Sequence, residues 1–189
     1  MQRPVRHTDD NLPSPVDRFD DVLDRLWGRA FRGRPAADRV FYLASELGDF
    51  SVLWLIIGAA QGLRSDVDAD AAGRLAMTLA GESLFVNQGV KRVVARPRPK
   101  PVEPRPLHLR KPLTSSFPSG HSSAATVAAT LLSQRDPKLA PVYALLAALV
   151  ATSRVHVQIH HASDVIAGVA MGAVIGRFVT HTWPVVPRG

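Results

Sequence analysis

Residues 139–180 read LAPVYALLAALVATSRVHVQIHHASDVIAGVAMGAVIGRFVT, two apolar segments flanking a polar stretch that holds three histidines and an aspartate. Neither apolar segment alternates with the period of a strand, and both run well beyond the length of an ordinary strand, so 139–153 and 163–180 are expected to be helices. Their wealth of Gly, Ala, Ser and Thr is that of close-packed membrane helices. Three more segments share this character: 41–63, 71–90 and 119–134. Several fall short of the roughly 20 apolar residues that a full span prefers, which keeps soluble helical packing as an alternative. The uncharged stretch from Leu113 to Gln134, and the regular pairing of polar turns with apolar segments, favour the membrane. The expected fold is all-α, a multi-pass helical bundle of about five spans, with no internal repeat and no sheet.

Charge is distributed to match. The first 40 residues hold 15 of the 39 charged side chains, whereas 112–189 hold only 7, so a polar N-terminal part joins an apolar C-terminal part. With 189 residues the chain suits one domain. The absence of cysteine excludes disulfides and thiolate metal sites. A formal net charge of +7 directs attention to anionic partners. Residues 1–16 are rich in proline and charge and read as a flexible tail without the apolar run of a signal peptide. In 17–31, Phe19, Val22, Leu23, Leu26, Trp27 and Ala30 share one helical face opposite charged residues. Such an amphipathic helix can lie on a bilayer surface or pack against a core. The domain is placed at 17–183, with 184–189 as a C-terminal tail.

Between the second and third apolar segments, KRVVARPRPKPVEPRPLHLRK (91–111) carries eight basic residues against one acid, and its prolines forbid continuous helix. A solvated linker is the plain reading. Without interleaved aromatics it makes a poor nucleic-acid surface, and no nucleic-acid partner is expected. Downstream, TSSFPSGHSSAAT (114–126) puts Pro118, Ser119 and Gly120 where a helix begins. There the free backbone N–H groups form a ready anion site, with His121 at its mouth. In 153–164, His160 and Asp164 stand four apart, so a carboxylate one turn away can hold the imidazole in one tautomer. Arg154 offers a planar fork for phosphate oxygens. His156 and His161 have no acid four residues on, and are expected to be supporting or solvated.

Three blocks now stand in order: Lys91, six residues, Arg98-Pro99; Pro118-Ser119-Gly120-His121; Ser153-Arg154, five residues, His160, three residues, Asp164. In residues and spacing they resemble the signature of the type 2 phosphatidic acid phosphatase and vanadium haloperoxidase superfamily, and the flanking helices fit its membrane branch. The resemblance implies a membrane phosphatase acting on a lipid phosphate or diphosphate, of the phosphatidic acid, phosphatidylglycerol phosphate or polyprenyl phosphate type. It implies that Lys91, Arg98 and Arg154 clamp the phosphate oxygens together with Ser119 and Gly120. His160 would attack phosphorus to form a phosphohistidine, Asp164 would orient it, and His121 would protonate the leaving group. No metal or cofactor is required on this reading; three fixed cations suffice to stabilise the charge of the transferred group.

Ser83, Asn87 and Lys91 form a polar stripe that leads up to this clamp, while Glu82 lies off it and is given no catalytic role. The expected partners are the lipid phosphate and the bilayer. Lys91, Ser119, Arg154 and His160 must share one face of the membrane, with RSDVDAD, RDPK and the C-terminus on the other. The resemblance favours an extracytoplasmic active site, although the basic 91–111 loop by simple charge counting favours the opposite. Competing functions are a soluble-type acid phosphatase or haloperoxidase, which the apolar helices disfavour, and a non-enzymatic binder of anionic lipid, which leaves His121, His160 and Asp164 unexplained.

Overall fold

The computed structural model describes residues 13–101, 109 and 114–188, and every described element is helical. Part of the expected N-terminal tail (1–12) and most of the second half of the basic loop lie outside the described residues. The first helix, α1 (Pro15–Phe31), starts two residues before the expected domain boundary. The Ser14 hydroxyl accepts from the Asp17 N–H, and the Asp17 carboxylate returns to the Ser14 N–H, closing a capping box. Leu23 and Trp27 pack on Ala151, Val155, Ala162 and Val165, while Phe19, Val22 and Leu26 stay exposed. The helix thus packs on the bundle by one flank and leaves the other open.

The chain then runs through α2 (Pro35–Gly48), α3 (Val52–Gly62), α4 (Asp66–Leu84), a π-helical turn (Phe85–Val90) and the single turn α5 (Lys91–Val93), followed by α6 (Gly120–Arg135), α7 (Ala140–His156) and α8 (Ala162–Thr182). The continuous helix expected over 41–63 is broken. Phe50 and Ser51 adopt φ of 52° and 60°, left-handed values unfavourable for residues with a Cβ. The break leaves Asp49 at a kink, turned toward α6.

α6 is the central helix, packed by α4, α7 and α8. Its Ala125, Val127, Ala128 and Leu131 are buried and join Trp54, Leu75, Leu79 and Val150 in the main core. Against it, α8 presents Gly168, Gly172 and Gly176 at four-residue intervals. A Cβ on Gly168 would lie 2.4 Å from the Ser119 carbonyl oxygen, and one on Gly172 would lie 2.4 Å from that of Ser123. Only glycine admits this backbone contact, which is the small-residue packing that membrane helices use in place of hydrophobic drive.

Chain direction gives the bundle two ends. At one, the start of α6, the turn between α7 and α8 and the 91–98 segment converge, with α1 against them. At the other, the Asp68 carboxylate accepts from Arg135 Nε (2.6 Å) and Arg188 Nη2 (3.0 Å), and the Arg188 N–H donates to the Arg135 carbonyl. The last residues are thus tied to the bundle rather than hanging free. The chain passes between the ends five times, by α2 with α3, α4, α6, α7 and α8. Three of these passes, Pro35–Gly62, Pro137–His156 and Ala162–Thr182, are long and apolar enough to cross a membrane by composition alone. The other two, α4 and α6, carry buried polar groups (Asp68, Arg74 and Glu82; Ser122, Ser123 and Arg135) directed at protein neighbours.

Candidate active site

His160 stands in the five-residue turn between α7 and α8. The Arg154 carbonyl accepts both the Ile159 N–H (3.1 Å) and the His160 N–H (3.2 Å), which folds the turn back on the end of α7. The left-handed Gln158 (φ 51°) makes the reversal. α8 begins only at Ala162, so His160 and Asp164 meet across a helix cap and not along a helix face. His160 Nδ1 lies 3.7 Å from Asp164 Oδ2, facing it but beyond a direct hydrogen bond.

The other ring nitrogen decides the tautomer. Arg98 Nη1 is 3.2 Å from His160 Nε2 and 2.9 Å from the Ile159 carbonyl. A guanidinium can only donate, so Nε2 carries a lone pair and the proton sits on Nδ1, toward Asp164. Burial, opposed by Asp164 and reinforced by Arg154, Arg98 and Lys91, pushes His160 down to about 3, so the ring is neutral at neutral pH. A neutral imidazole with its lone pair aimed at a guanidinium has the form of a nucleophile next to a group able to bind an anion.

Arg154 and Lys91 join Arg98 around the ring, near enough for their charges to act on it. Arg98 is held by the Thr114 and Ser115 carbonyls (3.2 and 3.1 Å). Arg154, buried, donates to the hydroxyl and carbonyl of Ser45 on α2. Lys91 follows the π-helical turn. Its Nζ would lie 3.7 Å from a Cβ on Gly120, and Asn87 Oδ1 would lie 3.4 Å from the same point, so the missing side chain keeps this corner open. Asn87 Nδ2 donates to Ser83 Oγ (3.0 Å), the polar stripe legible in the spacing. Ser119 caps α6, its hydroxyl accepting from Ser122, and its own N–H is already given to the Asp164 carbonyl (3.0 Å). Its hydroxyl proton and the first free N–H groups of α6 are what it and Gly120 can offer an anion.

His121 Nε2 is 2.7 Å from Asp49 Oδ1. A Cβ on Gly48 would lie 2.8 Å from the His121 ring, so this glycine and the kink after it seat the imidazole. No spacing rule links Asp49 to His121, and Asp49 went unnoticed in the sequence. So did Ser116, whose hydroxyl donates to Asp164 Oδ2 at 2.5 Å. His156 is neither solvated nor at the reacting centre. It is buried, stacked on Phe41, accepts from Trp27 Nε1 at Nδ1 (3.2 Å), and holds Asp38 through Nε2 (3.0 Å). The His161 N–H donates to Asp164 Oδ2 (2.9 Å), a main-chain role.

All eight residues singled out for catalysis or phosphate binding therefore gather at one end of the bundle. The PAP2 superfamily sequence profile matches residues 71–187, which contain all eight. The chain belongs to the PAP2 superfamily. It is 34% identical over 159 residues to a decaprenylphosphoryl-5-phosphoribose phosphatase of Mycolicibacterium smegmatis, covering 82% of this chain and 84% of that one. A Mycobacterium tuberculosis enzyme of the same name is 32% identical over 71% of this chain and 74% of its own. Among solved structures, the transmembrane PAP2-type phosphatidylglycerolphosphate phosphatase of Bacillus subtilis superposes with a TM-score of 0.70 at 24% identity, over 90% of this chain and 87% of that one. Aquifex aeolicus LpxE superposes with 0.69 at 24% identity, over 86% and 95%. These two share its fold. Family, helical membrane architecture and phosphatase activity agree with what the three sequence blocks implied.

Proposed function

We propose that this PAP2 phosphatase removes a terminal phosphate monoester from a polyprenyl-linked lipid, the class to which decaprenylphosphoryl-5-phosphoribose belongs, through a phosphohistidine on His160. The observation that carries the mechanism is the Arg98–His160 contact, which leaves the Nε2 lone pair unprotonated among three cations. In this reading a substrate phosphate inserts between Arg98 and the ring. Nε2 attacks phosphorus while the bond to the alcohol oxygen breaks, and His121, entering the step as the imidazolium paired with Asp49, gives its proton to that oxygen. Asp164 faces the Nδ1 proton and balances the positive charge that the ring gains. Water then attacks phosphorus, the P–N bond breaks, His121 accepts the water's proton, and inorganic phosphate leaves. Lys91, Arg98 and Arg154 hold the equatorial oxygens throughout.

The substrate class rests on the two mycobacterial relatives. The active end is assigned to the extracytoplasmic side of the cell membrane, as the family resemblance favours; five passes then leave the C-terminus on the other side. Purified protein in detergent should release phosphate faster, by kcat/KM, from a polyprenylphosphoryl phosphosugar than from phosphatidic acid or phosphatidylglycerol phosphate. Rapid quenching with labelled substrate should trap an acid-labile, base-stable adduct on His160. An adduct elsewhere, or full turnover by His160→Ala, would overturn the mechanism; a preference for glycerolipids would overturn the substrate class alone.

A further inference from the structure

Arg96 lies in the basic loop two residues before the phosphate-clamping Arg98, yet it turns away from His160. Its Nη1 donates to Asp164 Oδ1 (2.6 Å) and Ser163 Oγ (2.8 Å), and its Nη2 donates to Asp20 Oδ2 (2.7 Å). Asp20 belongs to α1, a helix with no other buried residue. A carboxylate is costly to bury unless it is paired and hydrogen-bonded, and Asp20 is fully engaged: Oδ1 accepts from the Ser163 N–H (2.8 Å), and Oδ2 accepts from the Ser163 hydroxyl (2.7 Å) as well as from Arg96. The Ser163 N–H is one of the unpaired donors in the first turn of α8, so a carboxylate from a distant helix caps the helix that carries Asp164.

We infer that Arg96 and Asp20 are positioning residues for the phosphoryl transfer, and that α1 is built into the active site as their brace. The inference rests on the reading of Asp164 and His160 given above. The Asp164 carboxylate is wholly enclosed, with Oδ2 taking the Ser116 hydroxyl and the His161 N–H. Oδ2 is also the oxygen that faces His160 Nδ1, and Arg96, by pinning Oδ1, completes with these two donors the set that fixes the plane of the carboxylate. Arg96 is in turn fixed at its far nitrogen by Asp20. Its single positive charge lies between two buried carboxylates that would otherwise repel each other. The fork shape matters as much as the charge, because one side chain reaches three acceptors on two helices.

Three variants, Arg96→Gln, Arg96→Lys and Asp20→Asn, test the relay in detergent-purified full-length protein. Exposed Asp21→Asn on the same helix serves as a control, and His160→Ala and Asp164→Asn run alongside. Active sites are counted by single-turnover burst, so that misfolded protein does not enter kcat. Arg96→Gln should lower kcat about 100-fold, the effect of displacing a catalytic group by an ångström, with KM and vanadate affinity unchanged because the clamp is untouched. Asp20→Asn should lower kcat about tenfold, the scale of one charge-assisted hydrogen bond. Arg96→Lys should recover part of the loss, and Arg96→Gln/Asp20→Asn should be no slower than Arg96→Gln alone. Wild-type kcat per active site in Arg96→Gln and Asp20→Asn, alongside a lowered melting temperature, would reduce the pair to a structural tie and overturn the inference. So would strictly multiplicative losses, or a rise in KM equal to the fall in kcat. Full activity in His160→Ala or Asp164→Asn would instead strike the underlying mechanism, and is a separate result.

Discussion

Gly168→Ala is the substitution whose cost can be read most directly from the coordinates. The added Cβ would fall 2.4 Å from the Ser119 carbonyl oxygen and 3.1 Å from Ser122 Cβ. A carbon needs about 3.3 Å from a carbonyl oxygen, so α8 must retreat from α6 by roughly 1 Å. Neither contact is the tip of a flexible side chain that could swing aside, since one is backbone and the other a Cβ. Such overpacking costs on the order of 1–3 kcal/mol, or about 2–10 °C in melting temperature for a chain of this size. The retreat also opens the main-chain bond from the Ser119 N–H to the Asp164 carbonyl, which ties the phosphate end of α6 to the aspartate beside His160. Shifting one half of the site against the other by that distance should lower kcat about 100-fold. Gly176→Ala is the internal comparison. The nearest atoms its Cβ would meet belong to the side chain of Thr130, from 3.0 Å, two turns further from the site. It should destabilise less and leave turnover within about threefold of wild type, since no catalytic group moves. Differential scanning fluorimetry and phosphate release in detergent micelles measure both quantities. Wild-type turnover in Gly168→Ala, or equal losses in the two variants, would refute the idea that backbone contact between α6 and α8 sets the geometry of the site.

Asp49→Asn should slow cleavage of lipid phosphates by about 100-fold or more while barely affecting an aryl phosphate with a good leaving group, because a general acid matters most when an alkoxide must depart; competition between the two substrate types measures this. His160 should remain the neutral Nδ1–H tautomer at pH 5 in nitrogen-15 NMR of histidine-labelled protein. Its depressed value also carries a sign for stability: between the ordinary histidine value and about 3 the unfolded chain binds the extra proton, so stability is intact above about 6.5 and declines as the pH falls through that window, by about 1.4 kcal/mol per unit. His156→Ala should lower the melting temperature, since it strands the Trp27 N–H and the Asp38 carboxylate, yet leave kcat per active site near wild type, and scanning fluorimetry beside burst-calibrated turnover separates the two.

What could be read in advance follows a physical line. Segments that bury apolar faces announce themselves by periodicity, so the five passes and the small-residue character of α8 were visible, and the glycine repeat at 168, 172 and 176 was there to be counted. The blocks of the proposed site were visible because the chemistry proposed for them confines each to a short stretch: clamp, anion site and nucleophile each need neighbours close in sequence. The partners that steady those groups carry no such constraint. Asp49 reaches His121 across 72 positions, and Asp20 reaches Ser163 across 143, because helix packing alone brings them together. The kink that aims Asp49 is made by Phe50 and Ser51, residue types that give no warning of left-handed backbone.

The same distinction explains why α1 and the basic loop looked like surface features. A helix with seven charged residues and a loop with eight basic ones carry the compositional marks of solvation, and most of the helix's charges are indeed exposed. Asp20 on the helix is buried, and it is bonded to Arg96 in the loop, itself half-buried. In an apolar bundle an aspartate as deeply enclosed as Asp164 must be matched by fixed donors, or it will not hold its charge. The helices that cross the membrane carry few donors to spare, because each charge placed there is costly. The donors must therefore come from segments outside the spans, folded back over the mouth of the site. The donors Arg96 and Ser116 come from the long connection before α6, and Asp20, the acceptor that holds Arg96, comes from the helix before the first span. The polar outer segments that look dispensable from composition are thus the part of the chain that lets a charged catalytic centre sit at the end of a membrane bundle.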